Sequence, residues 1–163
     1  MLLAATTMFA QGAKEKPASP HDTIQANHMK ITYGRPYKKD RVIFGDGKAS
    51  LESYGKVWRT GANEATEITI DKDCTFGGKK VKAGTYTLFT IPEPQTWTII
   101  LNSELKQWGA YNYDKIKGKD VVKTTAPVKM LMNTPVEQFT ISIKSDGIQM
   151  EWDRTSVFVP VKF

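Results

Sequence analysis

Cysteine is almost missing from this chain of 163 residues. The single Cys74 excludes an internal disulfide framework and any metal site built on clustered thiolates. Histidine is nearly as scarce. His21 and His28 stand seven apart, without the spacing that sets two ligands on one face, and no metal or cofactor is expected. Long apolar runs are absent: none approaches the roughly 18–20 residues of a membrane-spanning helix, so no transmembrane segment is expected. Helical periodicity is weak throughout. No G-x-S-x-G elbow occurs, and Cys74 has no basic neighbour in sequence, so nucleophilic catalysis lacks a motif. Lys/Arg runs never exceed two residues, and no groove-reading helix or glycine-aromatic RNA motif is present. A net charge of +6 therefore does not point to nucleic acid.

What is present is an ordinary globular composition, 40% hydrophobic and 25% charged, enough for one domain with a real core. Met1 to Ala10 read MLLAATTMFA, followed by Gln11-Gly12-Ala13. An apolar stretch ending in small residues is the pattern of a secretory signal and its cleavage site. Residues 1–13 are expected to be a signal-peptide remnant, 14–20 a Pro-containing linker, and 21–163 a single domain. The expected location is periplasmic or secreted, where an unpaired Cys74 is best protected by burial.

Period-2 alternation dominates the domain. Met29, Ile31 and Tyr33 alternate with Lys30 and Thr32; Thr66, Ile68 and Ile70 alternate with polar partners. Arg41–Phe44 is a short β-like run. Gly77-Gly78 predicts a hairpin between Cys74–Phe76 and Lys79–Lys82. Further strands are expected at Thr85–Ile91, Thr96–Leu101, Val136–Ile143, Gly147–Trp152 and Ser156–Val161. Ser103 and Gly109 bracket one expected helical turn over Glu104–Trp108, and Ala49–Tyr54 suggests another. The pattern predicts an all-β fold: a single antiparallel sandwich, with the jelly roll as one form of it and one or two short helical turns.

The charge is uneven. Residues 28–60 hold eight basic groups against three acidic ones, a local +5, and contain three of the four arginines: Arg35, Arg41 and Arg59. Arginine suits sites where a planar fork grips a carboxylate or phosphate. Residues 54–67, YGKVWRTGANEATE, do not alternate. They pack Trp58, Arg59, Asn63, Glu64 and Glu67 around Gly61-Ala62, which reads as a functional loop between strands.

These residues also carry a resemblance. Tyr33-Gly34-Arg35-Pro36, Arg41-Val42-Ile43-Phe44-Gly45, the string WRTGANEAT from Trp58 to Thr66, Gly84-Thr85-Tyr86, the Trp97 strand, Asn102 and Trp108-Gly109 together resemble domain-of-unknown-function family 2911 over residues 19–143. The resemblance implies an exported bacterial β-domain, typical of Bacteroidetes, and no particular activity. It also implies a glycine before Arg41, where this chain has Asp40.

Three functions fit these features. The first is binding of a small anionic or polar ligand, or a glycan. Arg35, Arg41 and Arg59 would grip it, Asn63 and Thr66 would orient it, and Trp58 or Trp108 would wall it. The second is a hydrolase or lyase with Glu64 as acid/base, aided by His21 or His28. Glu67 is a weak partner for Glu64, because residues three apart on a strand face opposite ways. The third is an envelope-associated structural domain presenting edge strands.

Overall fold

The computed structural model describes residues 19–163; the expected signal remnant and most of the linker lie outside the described residues. The strands are β1 (His21–Ala26), β2 (Met29–Gly34), β3 (Phe44–Gly45), β4 (Glu52–Ser53), β5 (Glu67–Ile70), β6 (Cys74–Phe76), β7 (Lys79–Val81), β8 (Gly84–Ile91) and β9 (Thr96–Asn102). A four-residue helix α1 (Tyr113–Ile116) follows, then β10 (Asp120–Met130), β11 (Val136–Lys144), β12 (Gly147–Asp153) and β13 (Thr155–Lys162). The long sheet path runs β1-β2-β5-β8-β9-β10-β13-β12-β11, antiparallel throughout, and does not close into a barrel.

The architecture turns on β10. Its first part pairs with β9 as far as Pro127 opposite Thr96; Val128 to Met130 then pair with Val157 to Thr155 of β13. Proline has no N–H to continue a ladder, so Pro127 is a natural place for the strand to pass from one layer to the other. Strands β10 to β13, in spatial order β10-β13-β12-β11, form one Greek key. Tyr33 of β2 bridges the layers. Its ring meets Phe139 edge-on at 5.8 Å, its hydroxyl donates to the Ile141 carbonyl, and the Ile141 N–H donates back.

Between the layers lies an aromatic core of Trp58, Trp97, Phe139 and Trp152, with Phe44 packed against it. Trp58 and Trp152 stack at 5.8 Å and 17°, and Phe44 meets Trp97 edge-on at 5.0 Å. A second cluster of Ala65, Phe89, Ile100 and Tyr113 covers the outer face of β8 and β9. These two strands are thus buried on both faces in their middle, where Leu88-Phe89 and Ile99-Ile100-Leu101 run apolar rather than alternating.

The alternating segments sit where the pattern placed them, including the Gly77-Gly78 hairpin, whose two glycines have φ of +54° and +82°. Three expectations need correction. Ala49–Tyr54 is not a helical turn: a single 3-10 turn covers Gly47–Ala49, and the chain is extended at Glu52–Ser53, where β4 pairs with β3. Glu104–Trp108 is a loop, not a helical turn. Lys106 is left-handed there (φ +59°) and its N–H is held by Glu67 Oε1, while the Ala65 N–H donates to the Gln107 carbonyl and the Gly109 N–H to the Asn63 carbonyl. Tertiary bonds to residues 63–67 outcompete the local cap, and the helix forms further on, at Tyr113–Ile116. The Arg41–Phe44 run contributes only Phe44 to a strand. That strand, β3, pairs in parallel with β4 in a two-stranded ribbon apart from the main sheet.

Candidate functional site

The ribbon and the WRTGANEAT loop build the site. Trp58 is anchored first: its N–H donates to the Thr90 carbonyl at 2.7 Å and its Nε1 to the Gly61 carbonyl at 3.1 Å. The chain then turns through two left-handed non-glycine residues, Thr60 (φ +53°) and Asn63 (φ +63°). For a β-branched, fully buried threonine this is a costly conformation. It is held by the Thr60–Thr90 hydroxyl pair at 3.1 Å and by Thr66 Oγ1 donating to the Thr60 carbonyl at 2.6 Å. Gly34 lies directly under the loop. A Cβ built there would sit 2.0 Å from the Ala62 carbonyl oxygen, so only glycine lets the end of β2 and the loop meet backbone to backbone.

Residues 36–41 form the facing wall. The Lys38 N–H donates to the Glu137 carbonyl and the Lys39 N–H to Glu137 Oε1. Lys39 and Asp40 are both left-handed, at φ +49° and +57°. Asp40 therefore occupies a conformation natural for glycine, and aspartate is among the few residues that tolerate it. Arg41 folds back over this turn, its Nε donating to the Lys38 carbonyl at 3.0 Å and its Nη2 to the Tyr37 carbonyl.

Between the walls is a cleft of about 300 Å³ lined by Tyr37, Lys39, Arg41, Leu51, Glu52, Arg59, Asn63 and Trp152, among others. Arg59 Nη1 donates to the Asn63 carbonyl at 3.0 Å and Nη2 to the Tyr111 hydroxyl at 3.1 Å, with the guanidinium 5.2 Å from the Tyr111 ring centre. Behind Arg59, a second hollow of about 230 Å³ is lined by Glu52, Val57, Trp58, Arg59, Ala110 and Tyr111. Glu52 and Arg59 border both. Burial pushes the Glu52 carboxyl up to about 7, against a smaller lowering by Arg59 and Arg41. Among the described residues, neither Arg41, Arg59 nor Glu52 makes an ion pair.

The family model for "Protein of unknown function (DUF2911)" matches residues 16–161. The chain belongs to this family. No curated protein and no solved structure matches it.

The structure of this DUF2911 chain sorts the residues singled out in its sequence. Arg41, Arg59 and Asn63 converge on one cleft. Arg35 does not line it. Its guanidinium bonds the Phe139 carbonyl, Thr140 Oγ1 and Asp22, and clamps β1 and β2 to β11. Thr66 is fully buried, bracing the loop rather than facing a ligand. Trp58 is 2% exposed and belongs to the core; Trp108 is 58% exposed but does not line the cleft. Glu64 lies on another side, 3.5 Å from His21 Nε2. With Glu67 and His21 it borders a hollow of about 240 Å³. The two glutamates share that hollow because Glu64 precedes β5, so strand alternation does not separate them.

His28 is engaged by Asp71 at 2.7 Å and packs on Phe163, beside a hollow of about 570 Å³ at the β1–β2 turn. That space is larger than the cleft but gathers no comparable set of opposed charges. Among the described residues, no three His, Cys, Asp or Glu side chains come together as metal ligands would. No helix there is long and apolar enough to cross a membrane. Cys74 is buried, and its thiol is pushed up by desolvation and then by Asp73, which disfavours the thiolate. Glu52 was missed in the sequence. Its one signal was being an acidic residue inside the most basic segment.

Proposed function

We propose that this chain is an exported binding domain for a small ligand bearing an anionic group, held between residues 36–41, Leu51–Glu52 and Arg59–Asn63. The pair Arg41 and Arg59 carries this reading. The two guanidiniums come from different segments, border one cleft, are oriented by main-chain carbonyls, and are not neutralised by an ion pair among the described residues. Cations fixed before a ligand arrives lose little freedom on binding, and their free N–H groups suit a carboxylate, sulfate or phosphate. The apolar stretch up to Ala10 and the small residues after it support export to the periplasm or beyond.

The test is a thermal-shift screen with benzoate, acetate, sulfate and inorganic phosphate, since binding to the folded state raises its apparent stability. At least one anion is expected to raise the melting temperature. Arg41→Ala and Arg59→Ala, each with a native circular dichroism spectrum, are expected to abolish that rise. No response to any anion, or a response both variants keep, overturns the reading.

A second reading, hydrolysis with Glu64 as acid/base, is supported by the hollow that Glu64 shares with Glu67 and His21. Turnover of a hydrolase-panel substrate that Glu64→Gln abolishes would establish it; an inactive wild type would refute it.

A further inference from the structure

Among the described residues, one acidic side chain lines the cleft, and it stands where an incoming anion would lie. Glu52 borders the space together with Arg41 and Arg59, so a ligand reaching both guanidiniums also meets the Glu52 carboxyl. Two ionised carboxylates at contact repel, whereas one proton between them turns the repulsion into a short, charge-assisted O–H···O hydrogen bond. The walls supply a second clue. Tyr37 and Leu51 line the cleft yet remain 38% and 41% exposed, leaving apolar surface beside the charged groups.

Resting on the anion-binding reading above, we propose that the ligand is a carboxylic acid with an apolar body. Its carboxylate lies between Arg41 and Arg59 and shares with Glu52 one proton drawn from solvent, while its body packs on Tyr37 and Leu51.

Among the described residues, charged and titratable groups face Glu52 from several elements. Arg59 comes from the strained loop, Arg41 and Lys39 from the facing turn, and the Tyr111 hydroxyl from across the second hollow. Of these, Arg59 and Arg41 favour ionised Glu52, and burial opposes it more strongly, leaving the carboxyl near neutrality already poised to hold a proton at about pH 7. A bound carboxylate adds negative charge beside it and holds that proton more firmly.

The experiment is calorimetric titration of the full chain with benzoate at pH 6 and pH 8, in buffers of different ionisation enthalpy. The expected result is uptake of about one proton per benzoate at pH 8, little at pH 6, and affinity weaker by about tenfold at pH 8. Glu52→Gln, whose amide can donate without titrating, is expected to bind with pH-independent affinity and no proton uptake. Wild-type binding without proton uptake, or uptake that persists in Glu52→Gln, overturns the proposal. So does sulfate or phosphate binding, lost in Arg41→Ala, where benzoate does not bind; that outcome leaves the anion site standing. Failure of every anion instead removes the anion site itself.

Discussion

Replacing Glu52 with glutamine tests the electrostatics of the site without any ligand. The carboxyl rises from 4.5 to about 7, with burial as the largest cause. Between those values the folded chain holds a proton that the unfolded chain has released. By linkage, stability then falls as pH rises from about 4.5 to about 7, and the loss is complete above the folded value. At about 1.36 kcal/mol per unit, the ionised carboxylate costs the fold about 3 kcal/mol at pH 8. An amide of the same shape does not ionise. Glu52→Gln is therefore expected to be more stable than the wild type by up to about 3 kcal/mol at pH 8, and nearly equal to it at pH 5. For a domain of this length, that is a rise in melting temperature of roughly 6–12 °C at the higher pH. Urea unfolding of both chains at both pH values provides the assay. Every other titrating group contributes equally to the two chains, so the difference of differences isolates Glu52. An effect of equal size at both pH values, or a destabilised variant at pH 8, would refute the argument that a buried carboxylate is charged here at a cost.

Two more outcomes follow from the geometry. Arg35→Ala should lose about 1–3 kcal/mol of stability in urea, because it leaves partly buried acceptors on β11 without their donor, yet keep anion-induced thermal stabilisation; the opposite pattern would place Arg35 in the site. Gly34→Ala should fail to fold or melt far below the wild type, since its Cβ meets the Ala62 backbone at 2.0 Å, whereas Gly118→Ala, with open space around it, should leave the melting curve within about 0.5 kcal/mol of unchanged.

The β fold was legible because its code is local. Alternation in Met29–Tyr33, the two glycines at 77 and 78, and the spacing of the C-terminal strands each needed only neighbours in sequence. Strand β10 was not read. The residues it turns inward before Pro127 are Val122, Thr124 and Ala126, too small and too polar to show a strong apolar period. The helical turn expected at Glu104–Trp108 failed for a related reason: its cap signals were genuine but weaker than the bonds that residues 63–67 offered from elsewhere in the chain.

The site divides the same way. Sequence alone determined that the arginines cluster in one stretch and that WRTGANEAT is not a strand. It could not separate Arg35 from Arg41 and Arg59, because all three are the same side chain in the same basic segment. The tertiary structure decided that one is consumed in clamping the two layers while the others are left facing a cleft. It also decided the surroundings of Glu52, which sequence offers as an ordinary acidic residue. What sets its proton affinity is partial burial on the ribbon, opposed by two guanidiniums brought from seven and eleven residues away. Desolvation depends on what surrounds a group in space, and no spacing along the chain encodes it.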